Sequence, residues 1–424
     1  MEHDLVLRGK VVGPDGIEES EIGVDDGEIS RVGRSTLKGS RVIDAGRCLI
    51  FPGFIDIHVH LREPGQEYEE DFRSGTEAAI HGGVTTVVDM PNNPVPAITQ
   101  AAVLEKRRLS AKALVDVRFY AGVRQESLAE VERTAKLVVG YKIYLAQSTG
   151  GLVYPWERLP EAFARIVETG LPVSIHCEDQ GIIDKRAGSL AGVDRPDVFA
   201  DVRPPESEVA SVRNVVAALG SAGRLRVNVC HASTQETLEL VERTRSEGMA
   251  IDCEAALHHL FFNRRSMLTN RLLRTNPPLR DEDDRAALVR GLDDGRVSFL
   301  VTDHAPHTRE GKESEGLSGV PGLDDYAHVV SWLVKRQGVS PSSICRTACL
   351  NPARFAGLND RGEIAAGKRA NFTVLDLGSP EKVRSDAIRS KCGWSPYEGF
   401  EFPGRAKWVV FDGEPVLDTY EQVT

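Results

Sequence analysis

The sequence predicts an α/β protein: a (β/α)8 TIM-type barrel with a small β-sandwich domain formed by both termini. Three observations predict it. Eight short β-branched runs recur through the middle of the chain. Helix-like segments separate most of them, which is the pattern of a parallel sheet with crossovers. Strand-and-turn patterning marks both ends, and 424 residues suit one large barrel plus a smaller module.

Residues 4–50 alternate short apolar runs with turn signals: LVLRGKVVG, then PDG, then EIGVDDGEISRVG. This is hairpin patterning. It returns near the C-terminus in GEIAAGKRANFTVLDL and AKWVVFDGEPVL. The two ends are therefore expected to close on each other, with residues 1–52 and 356–424 as the two parts of the β-domain and 53–355 as the barrel. The eight candidate barrel strands are IDIHVH (55–60), TTVVDM (85–90), VDVRFY (115–120), YKIYL (141–145), PVSIHC (172–177), RVNVCH (226–231), AIDCEA (250–255) and VSFLVTD (297–303). Helices are expected in TQAAVLEKRRLSAKA (99–113), ERLPEAFARIVETG (157–170) and TQETLELVERTRSEG (234–248).

Composition restricts the function. With 41% hydrophobic and 27% charged residues, the chain reads as a soluble globular protein able to build a core without disulfides. A net charge of -11 argues against nucleic acid and against an anionic membrane surface. A small anion remains possible, because it needs only local positive charge. Seven scattered cysteines without a C-x-x-C pair read as reduced structural thiols, as expected of a cytoplasmic enzyme. The opening Met-Glu-His-Asp does not look like a signal peptide, and no run approaches the length of a membrane span.

His58 and His60 close the first candidate strand. Residues i and i+2 of a strand share a face, so both imidazoles can reach one metal ion. His176, His231 and Asp303 also close candidate strands. In a barrel these ends converge on the face where active sites lie. Four imidazoles and a carboxylate suit zinc or a similar divalent ion. Lys142 lies inside the apolar run YKIYL. A lysine there is either snorkelling or ion-paired, or it is a neutral amine able to take up CO2. The resulting carbamate has two oxygens and can bridge two ions.

These features occur within longer motifs. They are His58-Val59-His60-Leu61-Arg62-Glu63-Pro64-Gly65, DMPNNP (89–94), YKIYL (141–145), SIHCED (174–179), VCHAST (229–234), TNPPLR (275–280), TDHAPH (302–307), GVPGLD (319–324) and SKCGWSPYEG (390–399). Together, over nearly the whole chain, they resemble the dihydroorotases of the amidohydrolase superfamily. The resemblance implies His58, His60 and Asp303 on one metal, His176 and His231 on a second, and N6-carboxylated Lys142 and a hydroxide bridging two Zn2+ or similar ions. It implies substrate contacts from His60, Arg62, Asn92, Asn276, His307, Pro321 and Gly322. Asp324-Asp325 departs from the commoner Glu-Thr, which affects the last of these contacts.

The implied reaction is the reversible zinc-dependent cyclisation of N-carbamoyl-L-aspartate to (S)-dihydroorotate and water, the third step of pyrimidine synthesis. Asp303 would act as base and then acid. An allantoinase or hydantoinase-type cyclic amidase is the nearest rival, because it shares the metal set. A non-catalytic scaffold relative fits less well, since all six ligands are present. The expected partner is the small-molecule substrate, with a second copy or another pyrimidine enzyme as further possibilities.

Other residues are expected to be structural. Cys177 and Cys230 should turn away from the neighbouring ligands by strand alternation. His258 and His259 should serve the core or hydrogen bonding, and His81 a helix end. His304 should point away from Asp303, and His3 and His328 lack a ligand-like partner. The loop 305–325, which contains HTREGKESEGLSG, has the composition of a mobile lid.

Overall fold

The computed structural model describes residues 2–148, 150–220 and 222–418. Strands from both ends of the chain form one seven-stranded sheet. The N-terminal strands are β1 (Glu2–Gly13), β2 (Gly16–Asp25), β3 (Glu28–Gly33) and β4 (Lys38–Pro52). The eight barrel strands follow: β5 (Phe54–Val59), β6 (Val84–Asp89), β7 (Asp116–Gly122), β8 (Gly140–Tyr144), β9 (Val173–His176), β10 (Val227–Val229), β11 (Ile251–Ala256) and β12 (Phe299–Val301). Then come β13 (Phe372–Asp376), the short pair β14 (Glu381–Lys382) and β15 (Glu401–Phe402), β16 (Arg405–Phe411) and β17 (Glu414–Asp418). The terminal sheet runs β17-β16-β13-β4-β1-β2-β3, so the C-terminal strands add to the edge that β4 offers. Its core includes Leu5, Leu7, Ile22, Val24, Ile50, Phe372 and Val410.

The barrel strands pair in sequence order from β5 to β12, parallel throughout. A parallel bridge between Val59 and His304 joins the two ends of the series. Every residue of β5, β6 and β8 is buried, as expected for strands covered on both faces. The expected helices form with bounds moved by a few residues: Gln100–Leu109, Leu159–Val167 and Gln235–Ser246. Thr99 and Thr234 cap two of them through their side chains. Val103, Phe163, Ile166, Leu238 and Val241 pack these helices onto the barrel. A second cluster, with Ile55, Ile57, Tyr120 and Phe299, ties the strands to Phe355 at the end of the helix Asn351–Phe355. No helix among the described residues is long and apolar enough to cross a membrane.

Candidate active site

The C-terminal ends of the strands bring the predicted ligands together. His58 lies in β5, and His60 follows it, its backbone N–H donating to the His304 carbonyl at 2.7 Å. Asp303 Oδ1 stands 3.3 Å from His58 Nε2 and 3.2 Å from His60 Nε2. His176 ends β9, and its Nδ1 is 3.1 Å from His231 Nε2. Arg62, His231 and Asp303 have φ of 62°, 35° and 47°. Left-handed backbone is uncommon for such residues and concentrates at functional sites. Five of the six ligand candidates, all but Lys142, line one cavity of about 260 Å³ with Arg62, Asn92, Asn276 and His307.

The electrostatics suit cation binding. Burial lowers the pKa of His58, His60, His176 and His231, leaving neutral imidazoles with free lone pairs. Burial raises the pKa of Asp303, against the pull of His58 and Lys142. Two donors on a tetrahedral zinc ion lie about 3.3 Å apart when each bond is about 2.05 Å. The donor pairs here, at 3.1, 3.2 and 3.3 Å, match that spacing. His231 Nδ1 is buried without a hydrogen-bond partner. The residues present therefore fit a divalent metal, and His58, His60 and Asp303 converge as one candidate ligand set.

Lys142 is completely buried. Its Nζ lies 2.7 Å from Cys230 Sγ and 5.0 Å from the centre of the Tyr144 ring, and it meets no carboxylate in an ion pair among the described residues. The expected outward orientation of Cys230 is corrected here. Its thiol faces Lys142 because the regular part of β10 stops at Val229 and the chain turns through left-handed His231. Cys177 behaves as expected, packing into the main core.

Polar side chains line the same cavity as the candidate ligands. The Arg62 guanidinium is buried, donates from Nε to the Pro306 carbonyl at 2.9 Å and places Nη2 3.1 Å from His307 Nε2. His307 Nδ1 pairs with Glu69 at 2.8 Å. Asn92 Oδ1 accepts from His60 Nδ1 at 2.7 Å, while Asn276 Oδ1 is buried with no hydrogen-bond partner among the described residues. Tyr144 also brings an unpartnered hydroxyl to this cavity, and burial keeps it a phenol. Pro321 and Gly322 are buried but lie outside the cavity lining; the Gly322 N–H is committed to His304 Nδ1 at 3.1 Å. Gly316, Leu317, Ser318 and Gly319 line the cavity in their place. They follow the short helix Arg309–Ser314, inside the stretch expected to be a lid.

Several supporting residues were not singled out from sequence. Glu254 accepts a hydrogen bond from His58 Nδ1. Glu178 pairs with His176 Nε2 at 2.8 Å and with Arg203. Burial would push both acids up, but His58, Lys142 and Asn228 together outweigh it at Glu254, and Arg203 with His176 outweighs it at Glu178. Both stay anionic and fix the ring orientation of a ligand, a common support for metal-binding histidines. The signal available for Glu254 was the one used for Lys142: a charge inside an apolar strand, here IDCEAA. His304 is structural as expected, pairing with Glu70, and His259 donates to the Pro277 carbonyl at 3.0 Å.

A barrel with neutral imidazoles and a buried aspartate at its strand ends defines a metal-dependent hydrolase of the amidohydrolase class. The Amidohydrolase family model matches residues 49–416. The chain belongs to that family and, within it, to the dihydroorotases, so it is a hydrolase acting on cyclic amides. The dihydroorotase of Methanothermobacter thermautotrophicus is 36% identical over 406 residues, covering 93% of this chain and 90% of the relative. That of Pyrococcus furiosus is 34% identical over 421 residues, covering 99% and 94%. Among solved structures, the L-hydantoinase (dihydropyrimidinase) from Arthrobacter aurescens aligns with a TM-score of 0.94 at 26% identity, covering 98% of this chain and 96% of that one.

Proposed function

We propose that this chain interconverts (S)-dihydroorotate and N-carbamoyl-L-aspartate, with Arg62, Asn92, Asn276 and His307 holding the substrate carboxylate. The observation that carries this reading is the Arg62–His307 pair beside the ligand cluster. A guanidinium presents a planar fork that matches a carboxylate. Glu69 pairs with Arg62 Nε at 3.6 Å, while Nη2 is directed to His307, which also lines the cavity. A hydantoin or allantoin ring lacks the exocyclic carboxylate that would meet these groups. Pro321 and Gly322 would act from one layer back, through His304 and the neighbouring loop.

His58, His60 and Asp303 would hold one divalent ion and His176 and His231 a second, with Lys142 as its carbamate between them. Zinc suits this nitrogen and oxygen donor set. When bound, the ions supply Lewis acidity toward the ring amide and acidify water. Full burial of Lys142 without an ion pair to a carboxylate among the described residues supports the carbamate. Asp303 accepts the proton of the attacking water and returns it to the departing ring nitrogen, acting as base and then acid. Arg62 and Asn92 orient the ring so that its amide carbonyl faces the ligand cluster.

We also assign residues 53–355 to the catalytic barrel and 1–52 with 356–424 to the supporting β-domain. A cytoplasmic setting, and association with a second copy or another pyrimidine enzyme, go with this reading. The test is Arg62→Ala. A lost charge-assisted contact worth about 1.5–3 kcal/mol should raise KM for both substrates roughly 10- to 100-fold. An unchanged KM would remove the carboxylate clamp from the account.

A further inference from the structure

Lys106 lies on the helix Gln100–Leu109, outside the cavity, yet it is only 2% exposed. Its Nζ donates to the Met90 carbonyl at 2.7 Å and to Asn93 Oδ1 at 2.8 Å, and meets Asp89 Oδ2 at 2.6 Å. Two of the three ammonium donors are therefore used in hydrogen bonds, and the charge is balanced by the Asp89 carboxylate as an ion pair. The partners flank one cavity-lining residue, Asn92: Asp89 ends β6, and Met90 and Asn93 lie in the segment that follows it. Met90 and Asn93 bracket Pro91-Asn92, and Asn92 touches His60. Asp89 uses its other oxygen to accept the backbone N–H of Leu61 at 2.9 Å, between His60 and Arg62. Asn93 Nδ2 donates to the Pro64 carbonyl at 3.2 Å. One buried cation thus clamps the end of β5 to the end of β6.

We infer that Lys106 is a positioning residue for the anionic end of the substrate, fixing Arg62 and Asn92 relative to each other without touching the substrate. The inference rests on the proposed carboxylate clamp. A buried cation that served stability alone could be satisfied anywhere. This one is spent on the backbone and side chains flanking the two groups that must converge on a carboxylate. Small misplacements of such groups weaken binding strongly.

The experiment uses the metal-loaded full chain and compares wild type, Lys106→Met, Asn92→Ala and the double variant, in both reaction directions, with metal content and thermal midpoint measured on each sample. Lys106→Met should raise KM for both substrates about tenfold or more, leave kcat within about threefold and leave metal content unchanged. The double variant should lose clearly less than the product of the two single losses, because Lys106 acts in part through Asn92. If Lys106→Met does not fold, Asn93→Ala removes one of the three partners while keeping the Lys106–Asp89 pair. It should raise KM about threefold. An unchanged KM with a lower thermal midpoint, multiplicative losses in the double variant, or loss of metal would each overturn the inference. A wild-type enzyme inactive on dihydroorotate would instead overturn the proposed function, so the two failures are distinguishable.

Discussion

His58 reaches the cavity with its Nδ1 hydrogen-bonded to Glu254 Oε1, and that same oxygen accepts the backbone N–H of His231 at 3.0 Å. One carboxylate therefore orients a ligand of each proposed metal. The other Glu254 oxygen accepts from Asn228 at 2.7 Å, so the group is held from both sides. Glu254→Gln should keep the fold but weaken metal retention by about 10- to 100-fold, the usual cost of removing such a support. Metal titration of the stripped variant against wild type checks this; equal affinity would mean Glu254 is only a core acid.

Asp303 is asked to move a proton as well as to bind. Asp303→Asn leaves an oxygen for a ligand but removes the base. Turnover should fall by about 10²- to 10⁴-fold, the range for general acid–base groups. The comparison must be made at equal metal content. Near-normal turnover with metal bound would assign the proton transfer to another group.

Lys142 carries the carbamate proposal. Wild-type protein reconstituted with 13C-bicarbonate and zinc should show one carbamate carbon resonance, absent in Lys142→Arg. Arginine retains the charge but cannot form the same carbamate. No resonance in active wild-type protein would leave Lys142 as a plain buried amine.

A pH effect is expected far from the site. His328 sits between Asp325, 3.2 Å from Nδ1, and Glu381, 3.4 Å from Nε2. Burial would lower its pKa, but these two acids raise it to about 9. The folded value exceeds the ordinary one near 6.5, so the stabilisation is complete below about pH 6.5 and is lost as pH rises through about 9. The shift corresponds to about 3 kcal/mol. Urea unfolding between pH 6.5 and 10 should show this decline in wild type and a flatter profile in His328→Gln.

Much of the site was legible because its ligands are chemically unusual and close short apolar runs: His58, His60, His176, His231 and Asp303 each do so. Lys142 was legible because a cation inside YKIYL demands an explanation. The supports were less so. Arg203, Glu178 and Lys106 are ordinary charged residues whose meaning comes from distant partners, such as Asp89 for Lys106. Cys230 was misread because alternation holds only while a strand stays extended, and β10 ends one residue earlier. The cavity-facing Gly316–Gly319 looked merely mobile, yet Gly319 has φ of 132° and a Cβ there would lie 2.6 Å from the Ala305 carbonyl oxygen. Only glycine fits that approach, and a single sequence does not reveal what it approaches.

The central claim is a cyclic amidase built around a substrate carboxylate. The most direct measurement is kcat/KM of the wild-type, metal-quantified enzyme for dihydroorotate, N-carbamoyl-L-aspartate, hydantoin and allantoin on one sample. The account predicts turnover of the first two and a selectivity of at least about 10²-fold over the uncharged rings, the scale of one fully used charged contact. Comparable rates on hydantoin or allantoin would contradict it.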